Sequence, residues 1–488
     1  MGSLVHSATQ SMKHTIKDIK IETDSEAHQI LREYVGNQST LTGSDAEPIP
    51  GIRHPGATGV IYCTDRAQAN GFSPDNEEWA NLGQGAPQVD DLPGAPPRIK
   101  YIDLAEYGDL VNEYAPTVGV KELREAVAKL YNEEYRKDKP SQYTYENVCI
   151  VPGGRAGMAR VAAVIGDVYC GVSPDSHTTY SEVLSVFKRL VPVPTALSAE
   201  DKYRLNIDQL KREVNNLSLN VVVASNPRNP TGQFIGGKDL EDLVKLSRDK
   251  TTIILDEFYS WYLYPDSPAD LGKSLSGAQY VEDVDEDPVV IIDGLTKGFR
   301  LPGWRVCWVV APKSVISAIS QSGSFLDGGA SHPLQMAAIP LLEPARVQQD
   351  KIALQKAFRI KRDFVLARLE KMGLKVPVPP QATFYIWLDV SGLPAPLDNG
   401  LVFFEELLKE KTICVPGLFF DINPAKRRNL LKSPCHHFVR LSFGPDMKTL
   451  DRGMNAIERV LEKHKSHGHL MNKDLIRSPT MKTPGTDH

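Results

Sequence analysis

The chain has 488 residues, 41% of them hydrophobic and 24% charged, so it is a globular protein long enough for two or three domains. Its formal net charge of −5 excludes an overall basic field of the kind that holds nucleic acid or an anionic membrane. The six cysteines are scattered, without a CxxC pair or a zinc-type histidine spacing, which favours free thiols and predicts no metal site.

The two ends of the chain are polar and aperiodic. We therefore predict disordered tails over residues 1–45 and 464–488. The first residues lack the apolar core of a signal peptide, and no uninterrupted span of about 20 apolar residues occurs. These features predict a cytoplasmic protein without a membrane segment. Residues 46–110, rich in Pro and Gly, are interpreted as an N-terminal arm and part of a small domain.

Apolar, β-branched runs alternate with helical patterns along the middle of the chain. The predicted strands are NVCIV (147–151), VVVAS (221–225), TIILD (252–256), VVIID (289–293) and WRVCWVV (304–310). The helical patterns between them are GMARVAAVI, SEVLSVFKRL, LEDLVKLSRD and KSVISAIS. This alternation predicts a large α/β domain over 111–342 with a mostly parallel sheet between helices. A long charged helix, three short strands (TFYIWLD, TICV and HFVRLSF) and a last helix predict a smaller α+β domain over 343–463.

Polar residues follow the carboxyl ends of the predicted strands, where open parallel sheets bind ligands. They are the Gly-rich turn PGGRAG (152–157), Asn229 in NPRNPTG, Asp256, Lys297 after the strand that ends at Asp293, and, within an apolar strand, Arg440. Each has a simple structural interpretation: a connector, a tight turn, an ion pair or a surface lysine. Together they place an anion site, an amide, a carboxylate and cations at one edge of one sheet.

With these residues and motifs, the sequence resembles the class I/II aminotransferase family of fold-type I enzymes dependent on pyridoxal phosphate. The resemblance runs from about Asn81 to Leu461. It is carried by EYAPTVGVKELREAV (113–127), NPRNPTG (226–232), DEFY (256–259), TKGFRLPGWR (296–305) and VRLSFG (439–444). The resemblance implies a seven-stranded-type sheet and a homodimer with shared active sites.

The resemblance also implies roles for individual residues. Lys297 is similar to the lysine that forms the Schiff base with the cofactor, and Asp256 to the carboxylate that pairs with its pyridine nitrogen. Asn229 and Tyr259 resemble the partners of the phenolic oxygen. The residues similar to phosphate ligands are Gly153, Gly154, Arg155, Arg305 and, from the neighbouring subunit, Tyr114. Arg440 resembles the arginine that binds the substrate carboxylate, with the Gly85 backbone beside it.

Two positions depart from the family pattern. Gly294 stands where many members carry a phosphate-binding hydroxyl, and Thr296 or Arg155 are the candidates to replace it. In SPDSHTTYSEV (173–183), alignment on Tyr180 places His177 where an aromatic residue stacks on the cofactor; the alternative is a loop histidine with the stacking residue elsewhere.

The resemblance implies an aminotransferase that moves an amino group between an α-amino acid and a 2-oxo acid. A lyase catalysing β- or γ-elimination, an aminocyclopropane-carboxylate synthase-like enzyme or an oxidase on the same fold is the alternative. A DNA-binding regulator is disfavoured because the N-terminal region is too short and aperiodic for a winged helix-turn-helix and carries no basic stripe.

Overall fold

The computed structural model describes residues 59–166, 168–172, 190–194, 200–249, 251–421 and 433–475. Its strands are β1 (Ala80–Asn81), β2 (Val148–Val151), β3 (Val168–Val172), β4 (Leu190–Pro194), β5 (Leu219–Ser225), β6 (Thr252–Asp256), β7 (Val289–Gly294), β8 (Cys307–Val310), β9 (Tyr385–Asp389), β10 (Thr412–Ile413), β11 (Val415–Pro416) and β12 (Phe438–Ser442). Its helices are α1 (Gly59–Ala69), α2 (Lys121–Tyr135), α3 (Gly154–Val164), α4 (Ile207–Leu217), α5 (Gly237–Lys245), α6 (Lys313–Leu326), α7 (His332–Ala338), α8 (Pro344–Lys371), α9 (Gly400–Lys409) and α10 (Met447–Leu475).

A seven-stranded sheet in the order β2-β8-β7-β6-β5-β3-β4 organises the larger layer. Strand β8 runs antiparallel to β2 and β7, while every other neighbouring pair is parallel. Helix α3 packs against β7 and β8, and α4 packs against β5. Strand residues such as Ile254, Leu255 and Ile291 are fully buried, which explains their continuous apolar character. The predicted α/β class with a mostly parallel sheet is confirmed.

Two strands of this sheet, β3 and β4, were not predicted. Their sequences, VYCGV and LVPVP, are short and interrupted by Gly or Pro, which weakens the strand pattern. The predicted strand 304–310 begins only at Cys307. Residues Pro302–Trp304 form a 3₁₀ turn and Arg305 takes a left-handed φ of 55°, so the extended conformation cannot start earlier.

A second, three-stranded sheet has the order β11-β12-β9 and is antiparallel. Its register places Arg440 of β12 between Val415 and Trp387. The short β1 pairs in parallel with β10, so a segment near the start of the described chain joins the C-terminal part. The predicted domain limits stay predictions.

Helix α10 continues to Leu475, past His464, where the disordered tail was predicted to begin. Residues 464–475 contain two Lys, two Leu and one Met, which have favourable helix propensities that a search for apolar periodicity does not weigh. The predicted tail 1–45 and the helical pattern over 181–190, apart from Leu190 in β4, lie outside the described residues. None of the described helices combines the length and apolar character needed to cross a membrane.

Candidate active site

Lys297 lies three residues after the end of β7, at the carboxyl edge of the large sheet. Its Nζ donates a hydrogen bond to the carbonyl oxygen of Gly85. Its own carbonyl oxygen accepts from the Tyr262 hydroxyl at 2.7 Å. The amine and the backbone of Lys297 are therefore both held in place.

The environment of Lys297 favours the neutral amine. Burial and then the positive charge of Arg440 lower its pKa from 10.5 to about 8, with Arg155 acting in the same direction. The negative charge of Asp256 acts the other way and limits the shift. A lysine with this pKa is partly neutral near physiological pH, so it can act as a nucleophile and accept a proton.

Asp256 is the last residue of β6, beside β5 and β7 in the sheet. Its Oδ1 accepts a hydrogen bond from the backbone N–H of Phe258 at 3.4 Å, which orients the carboxylate at the strand end. The carboxylate and Lys297 interact electrostatically, so the structure brings these two predicted residues into one site.

Asn229 and Arg440 come from different parts of the fold and meet in the interior. Arg440 Nη1 donates to Asn229 Oδ1 at 3.0 Å, and Nη2 donates to the Gly83 carbonyl oxygen at 2.7 Å. Both side chains are 1% exposed. Among the described residues, Asn229 Nδ2 and Arg440 Nε have no hydrogen-bond partner. Because unpaired buried donors are costly, these two point to a polar group that is held here in function.

Tyr259 is joined to the site by Tyr385, which sequence analysis missed. Their hydroxyl oxygens lie 2.8 Å apart and share a hydrogen bond. The Arg440 guanidinium lies over the Tyr385 ring, 4.2 Å from its centroid. A Cβ on Gly85 would lie 3.3 Å from Tyr385 Oη and 3.8 Å from Lys297 Nζ. One space is therefore surrounded by Gly85, Tyr259, Lys297, Tyr385 and Arg440. Tyr385 belongs to the predicted strand TFYIWLD, but its neighbours are equally buried, so the sequence gives no signal that singles it out.

The Gly-rich turn and Arg305 form what we call the anion cradle: Gly153, Gly154 and Arg305. Gly153 has a φ of 102° and is the N-cap residue of α3. No side chain caps the N-terminus of this helix. A Cβ on Gly153 would lie 1.8 Å from Arg305 Nη2, so only glycine allows the guanidinium to approach the turn. The Gly153 N–H donates to the Val151 carbonyl oxygen at 2.8 Å. The positive end of a helix without a side-chain cap, beside a guanidinium, suits a phosphate.

The other predicted site residues differ in how closely they are tied to the site around Lys297. Thr296, between Lys297 and β7, has its Oγ1 3.2 Å from Cys307 Sγ. Arg155 is exposed in the first turn of α3, and its charge reaches Lys297. Tyr114 is 96% exposed, so a single chain leaves it facing solvent. His177 lies outside the described residues.

These groups fit the cofactor that the resemblance implies. The anion cradle suits its phosphate, Lys297 supplies an amine for its aldehyde, and Asn229 Nδ2 is an unpartnered buried donor for a ring oxygen. The three features lie on one sheet edge, as one elongated ligand requires.

Comparison with known proteins gives the same result. The profile of the family described as aminotransferase class I and II matches residues 77–457. The aspartate aminotransferase of Thermotoga maritima is 29% identical over 402 residues, covering 81% of this chain and 94% of that protein. The aromatic-amino-acid aminotransferase 2 of Thermococcus litoralis is 26% identical over 394 residues, covering 79% of this chain and 92% of that protein.

A solved structure shares the fold. Thermus thermophilus aspartate aminotransferase with maleate superposes with a TM-score of 0.68 at 22% identity, covering 85% of this chain and 100% of that chain.

Proposed function

The chain belongs to the class I and II aminotransferase family, and we propose that it moves an amino group between an α-amino acid and a 2-oxo acid with pyridoxal 5′-phosphate as cofactor. The observation that carries the proposal is the partly neutral amine of Lys297, with a pKa of about 8, between the anion cradle and the buried pair of Asn229 and Arg440. Relatives over about four fifths of the chain carry aminotransferase names.

Pyridoxal phosphate, when bound, supplies an aldehyde that condenses with amines and a ring that accepts electrons from the substrate Cα–H bond. On the protein side, we assign the phosphate to Arg305 and to the Gly153-Gly154-Arg155 turn at the N-terminus of α3. Asp256 pairs with the ring nitrogen, which its position at the end of β6 allows.

Asn229 and Tyr259 hold the phenolic side of the cofactor. The unpartnered Asn229 Nδ2 is the donor, and Tyr259 contributes its hydroxyl, which Tyr385 orients. Burial and then the neighbouring Tyr385 raise the pKa of Tyr259 well above 10.0, so this hydroxyl remains a hydrogen-bond donor at neutral pH. We assign Thr296 and Arg155 to the phosphate end, and His177 stays the proposed stacking residue.

Arg440 binds the α-carboxylate of the substrate. Two of its five N–H groups are used by Asn229 and Gly83, and the others, including Nε, remain for an anion. The Gly85 carbonyl, which accepts from Lys297 Nζ, lies on the same side. We therefore assign to Lys297 the transfer of the proton from the substrate Cα to the C4′ carbon of the cofactor, on the far side of the amino nitrogen.

We also propose a cytoplasmic homodimer. The exposed Tyr114 supports a dimer. A tyrosine on the surface of one protomer can bind the cofactor phosphate only in the active site of a neighbouring protomer. Five cysteines are free and buried in the described residues, which supports a reducing compartment.

A screen of amino acids with and without a 2-oxo acid acceptor tests the reaction type. An aminotransferase forms the new amino acid only when the acceptor is present. The eliminating lyase alternative, which the names of the relatives do not favour, releases ammonia and a 2-oxo acid without any acceptor. An oxidase consumes oxygen. Release of ammonia at the same rate with and without acceptor would contradict the proposal.

A further inference from the structure

Gly294, where the family resemblance leads one to expect a hydroxyl, faces Cys307 across the antiparallel pair β7–β8. A Cβ on Gly294 would lie 2.4 Å from the Cα of Cys307 and 2.6 Å from both its Cβ and its Sγ. Since non-bonded carbon atoms pack at about 3.5–4.0 Å, position 294 cannot carry a side chain in this backbone. The Cα, Cβ and Sγ of Cys307 occupy the space that a side chain at position 294 would need, so the backbone of β8 contributes to the exclusion.

The surroundings of the Cys307 thiol belong to the phosphate end of the site. Its Sγ lies 3.2 Å from Thr296 Oγ1, and the residue is fully buried. Burial raises the pKa of the thiol to about 11, while the Thr296 hydroxyl, the charge of Arg305 and the Gly154 N–H act in the opposite direction. The thiol is therefore protonated at neutral pH, with an S–H available as a donor.

Thr296 itself is only partly buried and directly precedes Lys297, so its hydroxyl can reach a ligand that the buried thiol cannot. A hydroxyl that accepts one hydrogen bond still has its own O–H to donate. If the thiol donates to Thr296 Oγ1, the O–H of Thr296 remains available to a second partner.

From this arrangement, which rests on the proposed function for the identity of the ligand, we propose that Cys307 is a positioning residue for the cofactor phosphate. Its S–H donates to Thr296 Oγ1, and Thr296 donates its O–H to the phosphate in place of the hydroxyl absent at Gly294. Position 294 is thus closed to a side chain by β8, and Thr296, held by the thiol of Cys307, supplies the hydroxyl instead.

A purely structural role for Cys307 makes a different prediction. Removal of a buried Sγ lowers the melting temperature of the protein whatever its role, because it leaves a small cavity. Only a positioning role also reduces the additional stabilisation that a phosphate ligand provides. The measured quantity is therefore the ligand-induced shift in melting temperature, not the melting temperature itself.

The experiment uses the full-length apoprotein with inorganic phosphate as the probe, and then compares the affinities for pyridoxal phosphate and for pyridoxal, which lacks the phosphate. The variants are Cys307→Ala, Cys307→Ser and Thr296→Val, with Arg305→Ala as the control for the anion cradle. We expect Cys307→Ser to retain the phosphate-induced shift and Cys307→Ala to lose most of it. The affinity for pyridoxal phosphate should fall about fivefold in Cys307→Ala while that for pyridoxal stays the same.

Thr296→Val should lose as much of the phosphate-induced shift in melting temperature as Cys307→Ala. The double variant should lose no more than either single variant, because both changes interrupt the same series of hydrogen bonds from Cys307 through Thr296 to the phosphate. An unchanged phosphate shift in Cys307→Ala, together with a lost shift in Arg305→Ala, overturns the inference and leaves the proposed function intact. If Cys307→Ala does not fold, a Thr296→Val protein that keeps the wild-type shift overturns it equally. A wild-type protein that binds neither phosphate nor pyridoxal phosphate refutes the proposed function, and the inference with it.

Discussion

Arg440 Nη1 donates to Asn229 Oδ1 at 3.0 Å, a contact between residues 211 positions apart in the chain. Asn229 follows a strand of the large sheet, whereas Arg440 lies within the three-stranded sheet. The buried hydrogen bond therefore joins the proposed cofactor side of the site to the proposed substrate side. A change in either residue should alter both binding events.

The first prediction concerns this pair. Arg440→Lys keeps the charge but replaces the planar fork by a compact ammonium with three donors, too few for Asn229, Gly83 and a bidentate carboxylate. Loss of one charge-assisted hydrogen bond of about 2 kcal/mol should lower kcat/KM by roughly 30-fold, mainly through KM. Steady-state kinetics measure this. The control is Arg459→Lys, because Arg459 is an exposed residue of α10 that pairs with Glu410, and this change should leave the kinetics unchanged. An equal effect of both variants would contradict the role of Arg440.

The second prediction concerns the hydroxyl pair of Tyr259 and Tyr385. Tyr385→Phe removes the partner of the Tyr259 hydroxyl and should destabilise the protein by about 1 kcal/mol and lower kcat by roughly fivefold. The matched control is Tyr264→Phe, which removes a buried hydroxyl that donates to the Thr383 carbonyl. We expect denaturant unfolding to show similar losses for the two variants, with kcat reduced only in Tyr385→Phe. A normal kcat in Tyr385→Phe would show that the Tyr385 hydroxyl does not contribute to the reaction.

The third prediction concerns the pH dependence of Lys297. Its pKa falls from 10.5 to about 8 on folding, so between these pH values the unfolded chain binds more protons at this group. The contribution of Lys297 to the free energy of unfolding therefore rises with pH across that window. The rate at which cyanate carbamylates Lys297 in the apoprotein, measured by peptide mass spectrometry, should be half of its maximum near pH 8.

Two substitutions shift that midpoint in opposite directions. Arg440→Gln removes a positive charge that disfavours the ammonium form, so the midpoint should rise. Asp256→Asn removes a negative charge that favours the ammonium form, so the midpoint should fall. A wild-type midpoint at or above pH 10, or shifts of the same sign in both variants, would show that these charges do not set the reactivity of Lys297.

The fourth prediction tests the shared active site. Each site is proposed to combine Lys297 of one protomer with Tyr114 of the other, so Lys297→Ala and Tyr114→Ala proteins should complement each other when mixed. After subunit exchange, half of the dimers are hybrids with one intact site of two, which restores up to about a quarter of wild-type activity. Activity of the mixture no greater than the average of the two separate variants would contradict a shared site.

Much of this site could be predicted because the residues after parallel strands meet at one edge of a sheet. Lys297, Asp256 and Asn229 each follow a recognisable apolar strand, and the structure brings all three to that edge. Arg440 could be predicted because a charged residue inside an apolar strand requires a partner.

The contacts between strands could not be predicted. The opposition of Gly294 and Cys307 depends on the register of β7 and β8, which no local pattern encodes. The same is true of Tyr385, because the face of a short buried strand that turns toward a ligand is decided by the neighbouring sheet. Strand β3 was missed because Gly171 interrupts its apolar run.

Transfer of a ¹⁵N-labelled amino group from an α-amino acid to an unlabelled 2-oxo acid, in the presence of pyridoxal phosphate, tests the central proposal most directly. Lys297→Met should abolish the transfer. The control is Lys361→Met, because Lys361 is also buried with a pKa of about 8 but binds Gln88 and the Gly444 carbonyl instead. We predict label in the new amino acid for the wild type and Lys361→Met and none for Lys297→Met. Transfer at the wild-type rate by Lys297→Met would contradict the account.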